Sequence, residues 1–392
     1  MRVLFVSHTS EVSGAEHSLI ALIEALPVHV TAFVACPPGE FAESLRAREV
    51  TVDVLGGVAG GPRLGLATIR AVRNLLEDAL RVTRLTRQHG ADLVHANSLR
   101  SAVIGCLAGR FGGPPVIAHV RDCFPSGEPL TRIARAFVAR YADAVVFNSR
   151  HTRCCFANGI GRLVRRAPWT VIPNGVDVQR FKPGLGRVHA RRQLGVEHRA
   201  IVLGVIGQVS PWKAHDDAVC VLATLLDHGH DAHLLIVGAT KFVKRGGRFD
   251  HVAYAAEIRD LVHALDLRDR VSLLGERSDV PMVLEAVDIV LVPSWQEPFG
   301  RIVIEAMAME TPVVATSIGG PSEVIRHGCD GILLPPRAVQ TWARALDRLL
   351  REPERMSAMG RSGRQRVVEC FNVHRHAAQV LAVYEQVLSG TH

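Results

Sequence analysis

Short, continuous apolar runs alternate with longer segments of helical periodicity along most of the chain. The runs that predict strands form two series. The first contains Val3–Ser7, Val28–Ala35, Leu93–His95, Val116–Val120 and Ala144–Phe147, and the second contains Ile201–Ile206, His233–Val237, Val271–Leu274, Ile289–Val292 and Pro312–Ala315. Continuous apolar runs are typical of parallel strands that are covered on both faces. The pattern therefore predicts an α/β protein with doubly wound parallel sheets.

The number of predicted strands and the length of 392 residues both favour more than one domain. Pro, Asn and Gly interrupt the pattern between Ile172 and Asp177 and again between Lys182 and Gly186. We therefore expect an N-terminal domain over residues 1–183 and a C-terminal domain over residues 184–370. Residues 371–392 are expected to form a helix that packs back on the N-terminal domain.

Charge is distributed unevenly along the chain. The formal net charge is +8, yet residues 61–200 contain 23 lysines and arginines against eight acidic residues. Two basic stretches within this region, Thr131–Arg140 and Arg162–Arg166, favour an anionic membrane surface or an anionic acceptor as a partner. A solvated, arginine-rich surface is the alternative. Aromatic residues make up only 5% and no nucleic-acid motif is present, so nucleic acid is not an expected partner.

The cysteines and the apolar runs predict a cytoplasmic protein. Eight cysteines are scattered without a CxxC pair, which is typical of reduced thiols inside a cell. No uninterrupted apolar stretch is long enough to span a bilayer. Any contact with the inner face of the plasma membrane is therefore expected to be peripheral.

The segment after the predicted strand Ile289–Val292 carries the most informative candidate residues. Glu297 is expected at the mouth of a helix and Glu305 about two turns along it, with Pro298 in the first turn. The backbone N–H groups of Phe299, Gly300 and Arg301 would then point outward and bind an anion or a hydroxyl. Carboxylates accept hydrogen bonds from sugar or ribose hydroxyls. The alternative is a helix cap at Glu297 and a solvated carboxylate at Glu305.

Two further turns follow predicted strands of the same half. Gly207 and Gln208 come after Ile201–Ile206, and Lys213 is expected to open the next helix, where a bound anion would offset its unfavourable position on the helix dipole. Gly319 and Gly320 form a glycine turn after the last strand of the series. Turns at the carboxyl ends of parallel strands line the crevice in which α/β sheets bind ligands.

The N-terminal half offers fewer candidates. Gly14 follows the first strand and opens a helix, without the GxGxxG pattern of dinucleotide-binding folds. His119 ends the strand Val116–Val120, where it either faces a cleft or is a hydrogen-bonded core histidine. His228, His230 and His233 lack a familiar zinc spacing, and no Asp-x-Asp follows an apolar strand. We therefore expect no metal site and no cofactor.

Taken together, these motifs resemble the retaining GT-B glycosyltransferases of family 4, and the resemblance runs nearly end to end. Its most specific part is Glu297-Pro-Phe-Gly-x4-Glu305-Ala-Met-Ala. Ile172-Pro-Asn-Gly-Val-Asp177, Gly319-Gly320-x2-Glu323 and Gly14-Ala-Glu16 support it. The resemblance implies two Rossmann-like domains facing a cleft, with the acceptor bound by the first domain and the nucleotide-sugar by the second.

The resemblance also implies roles for individual residues. Glu297 would hold hydroxyls of the transferred sugar, Lys213 would neutralise the diphosphate, and His119 would lie near the sugar and acceptor; these three are the predicted catalytic residues. Glu305 would hold the ribose hydroxyls. The other predicted donor-binding residues are Gly14, Gly207, Gln208, Phe299, Gly300, Arg301, Gly319 and Gly320. The family usually has a basic residue where this chain has Gln208, so Arg301 is a candidate helper for the diphosphate.

The expected activity is metal-independent, retaining transfer of a hexose or N-acetylhexosamine from a nucleotide-sugar, most readily a UDP-sugar. The expected acceptor is either an envelope or exopolysaccharide glycolipid or a soluble natural product such as an aminocyclitol antibiotic. A nucleotide-sugar 2-epimerase of GT-B fold and a non-catalytic sugar-nucleotide-binding protein are the alternatives.

Overall fold

The computed structural model describes residues 1–56, 66–124, 128–160, 167–184, 186–196, 200–241 and 249–390. The chain divides into two compact units, one of Met1–Gly175 with Val373–His392 and one of Val176–Asn372. These limits differ from the predicted ones at 183/184 and 370/371. Val176 explains the difference, because its N–H bonds the carbonyl of Phe371 at 2.8 Å and it forms a β-bridge with Asn372. The predicted basic stretch Arg162–Arg166 lies outside the described residues.

The first unit contains a seven-stranded sheet with helices on both faces. Its strands are β1 (Arg2–Val6), β2 (Thr31–Cys36), β3 (Thr51–Val54), β4 (Leu93–Ala96), β5 (Val116–Val120), β6 (Ala144–Phe147) and β7 (Trp169–Val171). Its helices are α1 (Gly14–Ala25), α2 (Glu40–Arg46), α3 (Leu66–His89), α4 (Leu99–Arg110), α5 (Pro129–Tyr141), α6 (Arg150–Ala157) and, from the end of the chain, α15 (Val373–Leu388). All neighbouring strands are parallel, in the order β3-β2-β1-β4-β5-β6-β7.

Alternation along the strands shows that both faces of this sheet are buried. In β1, Leu4 belongs to one apolar cluster and Val3 and Phe5 to another on the opposite face. The second cluster also receives α15, whose Val380 and Tyr384 pack with residues of α1 such as Leu19. Helix α15 is thus part of the core of the first unit.

The second unit contains a six-stranded parallel sheet in the order β10-β9-β8-β11-β12-β13. Its strands are β8 (Ile201–Ile206), β9 (Ala232–Val237), β10 (Val271–Gly275), β11 (Ile289–Val292), β12 (Val313–Thr316) and β13 (Ile332–Leu334). Its helices are α7 (Arg187–Gln193), α8 (His215–Asp227), α9 (His251–Ala264), α10 (Val280–Ala286), α11 (Arg301–Ala308), α12 (Pro321–Val324), α13 (Val339–Leu350) and α14 (Pro353–Cys370). The prediction of two doubly wound parallel sheets is confirmed.

The strand order reverses direction once in each sheet. The reversal lies between β1 and β4 in the first unit and between β8 and β11 in the second. Connections on the two sides of such a point lead to opposite faces, which opens a crevice at the carboxyl ends of the strands. The loops after β8 and β11 therefore border the expected ligand crevice of the second unit.

In the part of the chain that the structure describes, none of the helices combines the length and apolar character needed to cross a bilayer.

Candidate active site

The loops that follow β8 and β11 are joined directly to each other. The backbone N–H of Trp295 donates to the carbonyl of Trp212 at 3.0 Å, and the Trp295 indole donates to the carbonyl of Pro211 at 2.9 Å. These bonds fix the loop that carries Lys213 against the loop that carries Glu297. Two charged residues 84 positions apart in sequence thereby reach the same crevice.

Lys213 and Glu297 form an ion pair at this point. Lys213 Nζ lies 2.5 Å from Glu297 Oε2, and the hydroxyl of Ser294 donates to the same oxygen at 3.1 Å. The carboxylate side chain is 7% exposed, and the lysine side chain is 21% exposed. An ammonium and a carboxylate are thus held together at the mouth of the sheet, with the lysine the more accessible of the two.

Lys213 does not open the next helix, contrary to the prediction. It ends a 3-10 helix, Pro211–Lys213, and α8 begins only at His215. Ala214 between them has a left-handed backbone with φ of 53°, which no regular helix allows. Lys213 is therefore displaced from the axis of α8 and turned toward the loop after β11.

The helix after Glu297 also starts later than predicted. Gly300 is the N-cap of α11 with φ of 86°, and the first helical residue is Arg301, so Pro298 lies before the helix rather than in its first turn. Glycine adopts this left-handed conformation without the penalty of a side chain. The first N–H groups of the helix are therefore those that follow Gly300. Phe299 packs into the apolar core of the unit and anchors the loop.

Gly319 and Gly320 hold the Glu297 loop by close backbone contact. A Cβ on Gly319 would lie 2.1 Å from the carbonyl oxygen of Glu297, and one on Gly320 would lie 2.2 Å from Cα of Phe299. The N–H of Gly320 donates to the carbonyl of Glu297 at 2.9 Å. Only glycines fit at these two positions. A larger residue at either one would push the Glu297 loop away.

Glu305 pairs with Arg301 one turn before it on α11. Arg301 Nη2 donates to Glu305 Oε1 at 2.7 Å, and both side chains are largely buried. The structure thus brings two of the predicted acidic residues to one short segment but gives each its own cation. Glu297 is held by Lys213 and Glu305 by Arg301.

Gln208 contacts the loop after β9. Its amide Nε2 donates to the carbonyl of Lys241 at 3.3 Å, and Gly207 before it approaches Gly238 so closely that a Cβ on Gly238 would lie 1.8 Å from the Gly207 carbonyl. The side chain of Lys241 is paired with Glu276 at 2.5 Å. The predicted position of Gln208 after β8 is confirmed, and its amide is engaged with a neighbouring loop.

Sequence reasoning did not single out His215 or Ser294. Together with Gly207, Lys213 and Ile302 they line a small depression. His215 is fully buried, and burial followed by the nearby Lys213 lowers its pKa to about 4, so the imidazole is neutral. The signal that could have found both residues is their short separation from Lys213 and Glu297 in sequence.

In the first unit, Gly14 begins α1 as predicted. Ser13 is the N-cap, and its hydroxyl donates to Glu16 Oε2 at 2.5 Å while its backbone N–H donates to the same oxygen at 3.2 Å. The bond from the Ser13 backbone to the Glu16 side chain is part of a capping box, which fixes the start of the helix. Burial raises the pKa of Glu16.

His119 is fully buried at the end of β5. Its Nδ1 lies 3.2 Å from Arg121 Nη2 and 3.3 Å from His95 Nε2. The Tyr384 hydroxyl, on α15, is 2.7 Å from the other nitrogen of His95. Burial and then the Arg121 charge hold the pKa of His119 well below its usual range. Because a guanidinium can only donate, Nδ1 of this neutral histidine accepts and its proton lies on Nε2.

The remaining nitrogen of His119 is without a partner among the described residues. Nε2 is buried and hydrogen-bonds neither a described side chain nor a described backbone group. Buried donors of this kind are uncommon and call for an explanation. Arg121 itself is tied down, because it also donates to Asn97 at 2.8 Å and to Asn174 at 2.5 Å. The histidine thus presents one fixed N–H donor.

Two sequence families match the chain. Residues 12–180 match the family described as Glycosyltransferase Family 4, and residues 187–366 match Glycosyl transferases group 1. A D-inositol 3-phosphate glycosyltransferase of Kineococcus radiotolerans is 32% identical over 378 residues, which cover 90% of this chain and 83% of that protein. A protein of the same description from Saccharomonospora viridis is 32% identical over 316 residues, covering 76% of this chain and 71% of the relative.

Solved structures show the same similarity. The crystal structure of Anabaena Alr3699/HepE in complex with UDP-glucose has a TM-score of 0.83 and 26% identity, and covers 98% of this chain and 100% of that one. The two doubly wound sheets match the GT-B fold. The chain belongs to glycosyltransferase family 4, the group 1 glycosyl transferases, and is a retaining enzyme of that family.

Proposed function

We propose that this enzyme transfers a hexose or N-acetylhexosamine from a UDP-sugar to an acceptor hydroxyl. The observation that carries the proposal is the Lys213–Glu297 ion pair at the point where the order of the second sheet reverses. The similar Anabaena structure contains UDP-glucose, which supports a UDP-sugar as the donor.

In this proposal, Lys213 binds the diphosphate of the donor. Its ammonium is the more exposed partner of the ion pair and lies in a loop, so it can turn toward an anion without unfolding a helix. A diphosphate would compete with Glu297 for Lys213, and the released carboxylate would then accept hydrogen bonds from sugar hydroxyls. Donor binding and exposure of Glu297 are therefore coupled.

Glu305 is assigned to the ribose hydroxyls, with Arg301 as the group that orients it. The two side chains are already paired at 2.7 Å, which fixes the carboxylate in one rotamer while leaving its second oxygen for a ligand. The backbone N–H groups at the start of α11, beginning with Arg301, add a second positive site for the phosphates. These groups and Lys213 replace the basic residue that Gln208 does not supply.

The glycines let the backbone approach the donor closely. Gly319 and Gly320 set the position of the Glu297 loop, and Gly207 provides the turn after β8. In the first unit, Gly14 gives the start of α1 a surface without a side chain. We assign His119 Nε2–H to a hydroxyl of the transferred sugar or of the acceptor, because it is a fixed donor that has no partner within the described part of the chain.

Cleavage of the anomeric bond develops positive charge on the sugar and negative charge on the leaving diphosphate. Fixed donors aimed at that negative charge stabilise the transition state without reorganisation. In a front-face reaction, the acceptor oxygen forms its bond to the anomeric carbon on the side from which UDP leaves, and a phosphate oxygen takes the acceptor proton. Lys213 and the N-terminus of α11 supply the charge stabilisation in this scheme, so we propose that no divalent ion is required.

The acceptor is proposed to be a soluble, polyhydroxylated ring such as a cyclitol or aminocyclitol. The relatives described as D-inositol 3-phosphate glycosyltransferases support this choice, because inositol is itself a cyclitol. An envelope or exopolysaccharide glycolipid is the second candidate. It is favoured by α5, where Leu130 and Ile133 are exposed beside arginines, an arrangement suited to peripheral contact with an anionic membrane.

A donor screen followed by product analysis tests the proposal. Thermal stabilisation by a panel of nucleotide-sugars identifies the donor, and mass spectrometry then detects transfer to inositol phosphate, aminocyclitol or glycolipid acceptors. Donor consumption that requires an acceptor supports transfer. Conversion of the donor to its 2-epimer without acceptor, or binding with no turnover for any acceptor, would overturn it. Arg277→Gln, which breaks an ion pair with Asp279 elsewhere in the same unit, is the matched control for Lys213→Gln.

A further inference from the structure

Three potential metal ligands meet in the first unit, apart from the residues assigned to glycosyl transfer. Cys123 lies in the segment after β5, and His151 and Cys155 lie one turn apart on α6. Their ligand atoms are all within 4.8 Å of one another, and Cys155 Sγ is 3.6 Å from His151 Nε2. Within the described ranges, this is the one group of three or more such side chains at metal-binding distance.

The spacing fits a tetrahedral zinc ion. Zinc binds sulfur at about 2.3 Å and imidazole nitrogen at about 2.0–2.1 Å, so two such ligands in tetrahedral geometry are separated by about 3.5 Å. The observed Cys155–His151 separation is close to this value. Residues four apart on a helix project from the same face, so α6 places both ligands without distortion. Small rotamer changes would bring Cys123 Sγ to the same centre.

The chemistry of the group also suits a soft divalent ion. Zinc binds the thiolate form of cysteine. Cys155 lies beside both Cys123 and His151, so two sulfur ligands and one imidazole are present at the same point. Two thiolates, one neutral imidazole and Zn²⁺ together carry no net charge. A complex with a positive net charge would be repelled by the many arginines in this part of the chain. A neutral complex is not repelled by Arg135, whose guanidinium donates to the Cys155 carbonyl at 2.7 Å.

We propose that Cys123, His151 and Cys155 bind one Zn²⁺, with the fourth position open to water. The ion would join the segment after β5 to α6. That segment follows directly from His119 and Arg121, so the zinc would hold the chain just beyond the buried histidine network in place. The ion would be separate from the chemistry proposed for the donor site.

The experiment uses the full, untagged chain, reduced and freed of metal with a chelator, then loaded with zinc sulfate and desalted. Native mass spectrometry is expected to show one zinc ion per chain in the wild type. Cys154→Ser is the matched control, because Cys154 is the exposed neighbour of Cys155 on the same helix and lies outside the group. It is expected to retain the ion, whereas Cys123→Ser and Cys155→Ser are expected to lose it.

Cobalt provides a second readout that does not depend on the serine variants folding. Co²⁺ loaded into the wild type is expected to show thiolate-to-cobalt charge-transfer absorption, and His151→Gln is expected to shift or abolish it. A reduced wild type that binds no zinc would overturn the proposal. So would a zinc ion retained by Cys155→Ser, or a Cys123–Cys155 disulfide that persists under reduction and leaves no thiol to bind metal.

Discussion

Lys213 Nζ lies 2.5 Å from Glu297 Oε2, at the crevice formed where the strand order of the second sheet reverses. The pair joins the loop after β8 to the loop after β11, and Ser294 donates to the same carboxylate oxygen. In the proposed reaction, the donor diphosphate takes over the lysine and the sugar hydroxyls take over the carboxylate. The residues proposed to bind the donor thus neutralise each other in this structure.

Lys213→Gln is expected to lower kcat/KM for the nucleotide-sugar by about 10²- to 10³-fold, the cost typical of removing one group that stabilises developing negative charge. The melting temperature is expected to fall as well, because the Glu297 carboxylate is only 7% exposed and loses its cation. Steady-state kinetics and calorimetry check both expectations. Arg277→Gln, the control, is expected to keep wild-type kinetics. Equal kinetics in the two variants would remove Lys213 from the site.

Gly319→Ala is expected to displace the Glu297 loop. The new Cβ would lie 2.1 Å from the Glu297 carbonyl oxygen, so the loop must shift, and the KM for the donor is expected to rise together with a loss of stability. Gly328→Ala is the matched control, because Gly328 has a similar φ of 79° but nothing lies within 4 Å of its Cβ position. It is expected to lose about 1–2 kcal/mol of unfolding free energy from backbone strain alone, with an unchanged KM. Urea unfolding and donor kinetics measure both. Similar KM values in the two alanine variants would refute the link between this turn and Glu297.

The buried histidines are expected to make the protein less stable as the pH falls below 6.5. The folded-state pKa of His119 lies well below the unfolded value of 6.5, so below that pH the unfolded chain binds a proton that the folded chain does not. Each such histidine stabilises the folded protein above pH 6.5. Below that pH, its contribution to the free energy of unfolding falls by about 1.4 kcal/mol per pH unit. For His215 the loss ends near pH 4. Denaturant unfolding between pH 7.5 and 5 measures how the free energy of unfolding changes with pH. In His119→Asn this slope is expected to be smaller by about 1.4 kcal/mol per pH unit, the amount for one proton taken up on unfolding. An unchanged slope in that variant would mean that His119 is protonated in the folded state.

Transfer is expected to continue in excess EDTA, because in the proposed reaction Lys213 and the start of α11 supply the positive charge. The measurement is best made on Cys155→Ser, which lacks the proposed zinc site. Any effect of EDTA on this variant would then come from a metal that acts in transfer. Addition of Mg²⁺ or Mn²⁺ is expected to leave the rate unchanged. A rate restored only by one of these ions would contradict metal-independent chemistry.

The interior of both sheets could be predicted from the sequence, whereas several of the edges could not. Strands β5, β6, β8 and β11 have the predicted limits, because central strands of a parallel sheet are continuous apolar runs. Strands β3, β7 and β13 were not predicted. Each is an edge strand of three or four residues. Edge strands are less completely covered than central ones, so they tolerate polar residues such as Asp53 in β3 and do not form continuous apolar runs.

The candidate site could be predicted at the level of residues but not of contacts. The motifs made Glu297 and Lys213 candidates, yet they could not show that the two side chains pair with each other. That contact depends on the left-handed backbone of Ala214, which turns Lys213 away from α8, and on the bonds from Trp295 to the opposite loop. The network around His119 was equally hidden, because Tyr384 reaches it from the other end of the chain.

The central claim is that the Glu297 carboxylate binds the transferred sugar in a retaining glycosyl transfer. The most direct measurement is single-turnover transfer from the UDP-sugar identified in the donor screen, compared between wild type, Glu297→Gln and the control Asp279→Asn. We predict α-linked product from an α-linked donor, a rate reduced by about 10²-fold or more in Glu297→Gln, and wild-type rates in the control. Wild-type transfer by Glu297→Gln, with the donor bound equally well, would contradict the account.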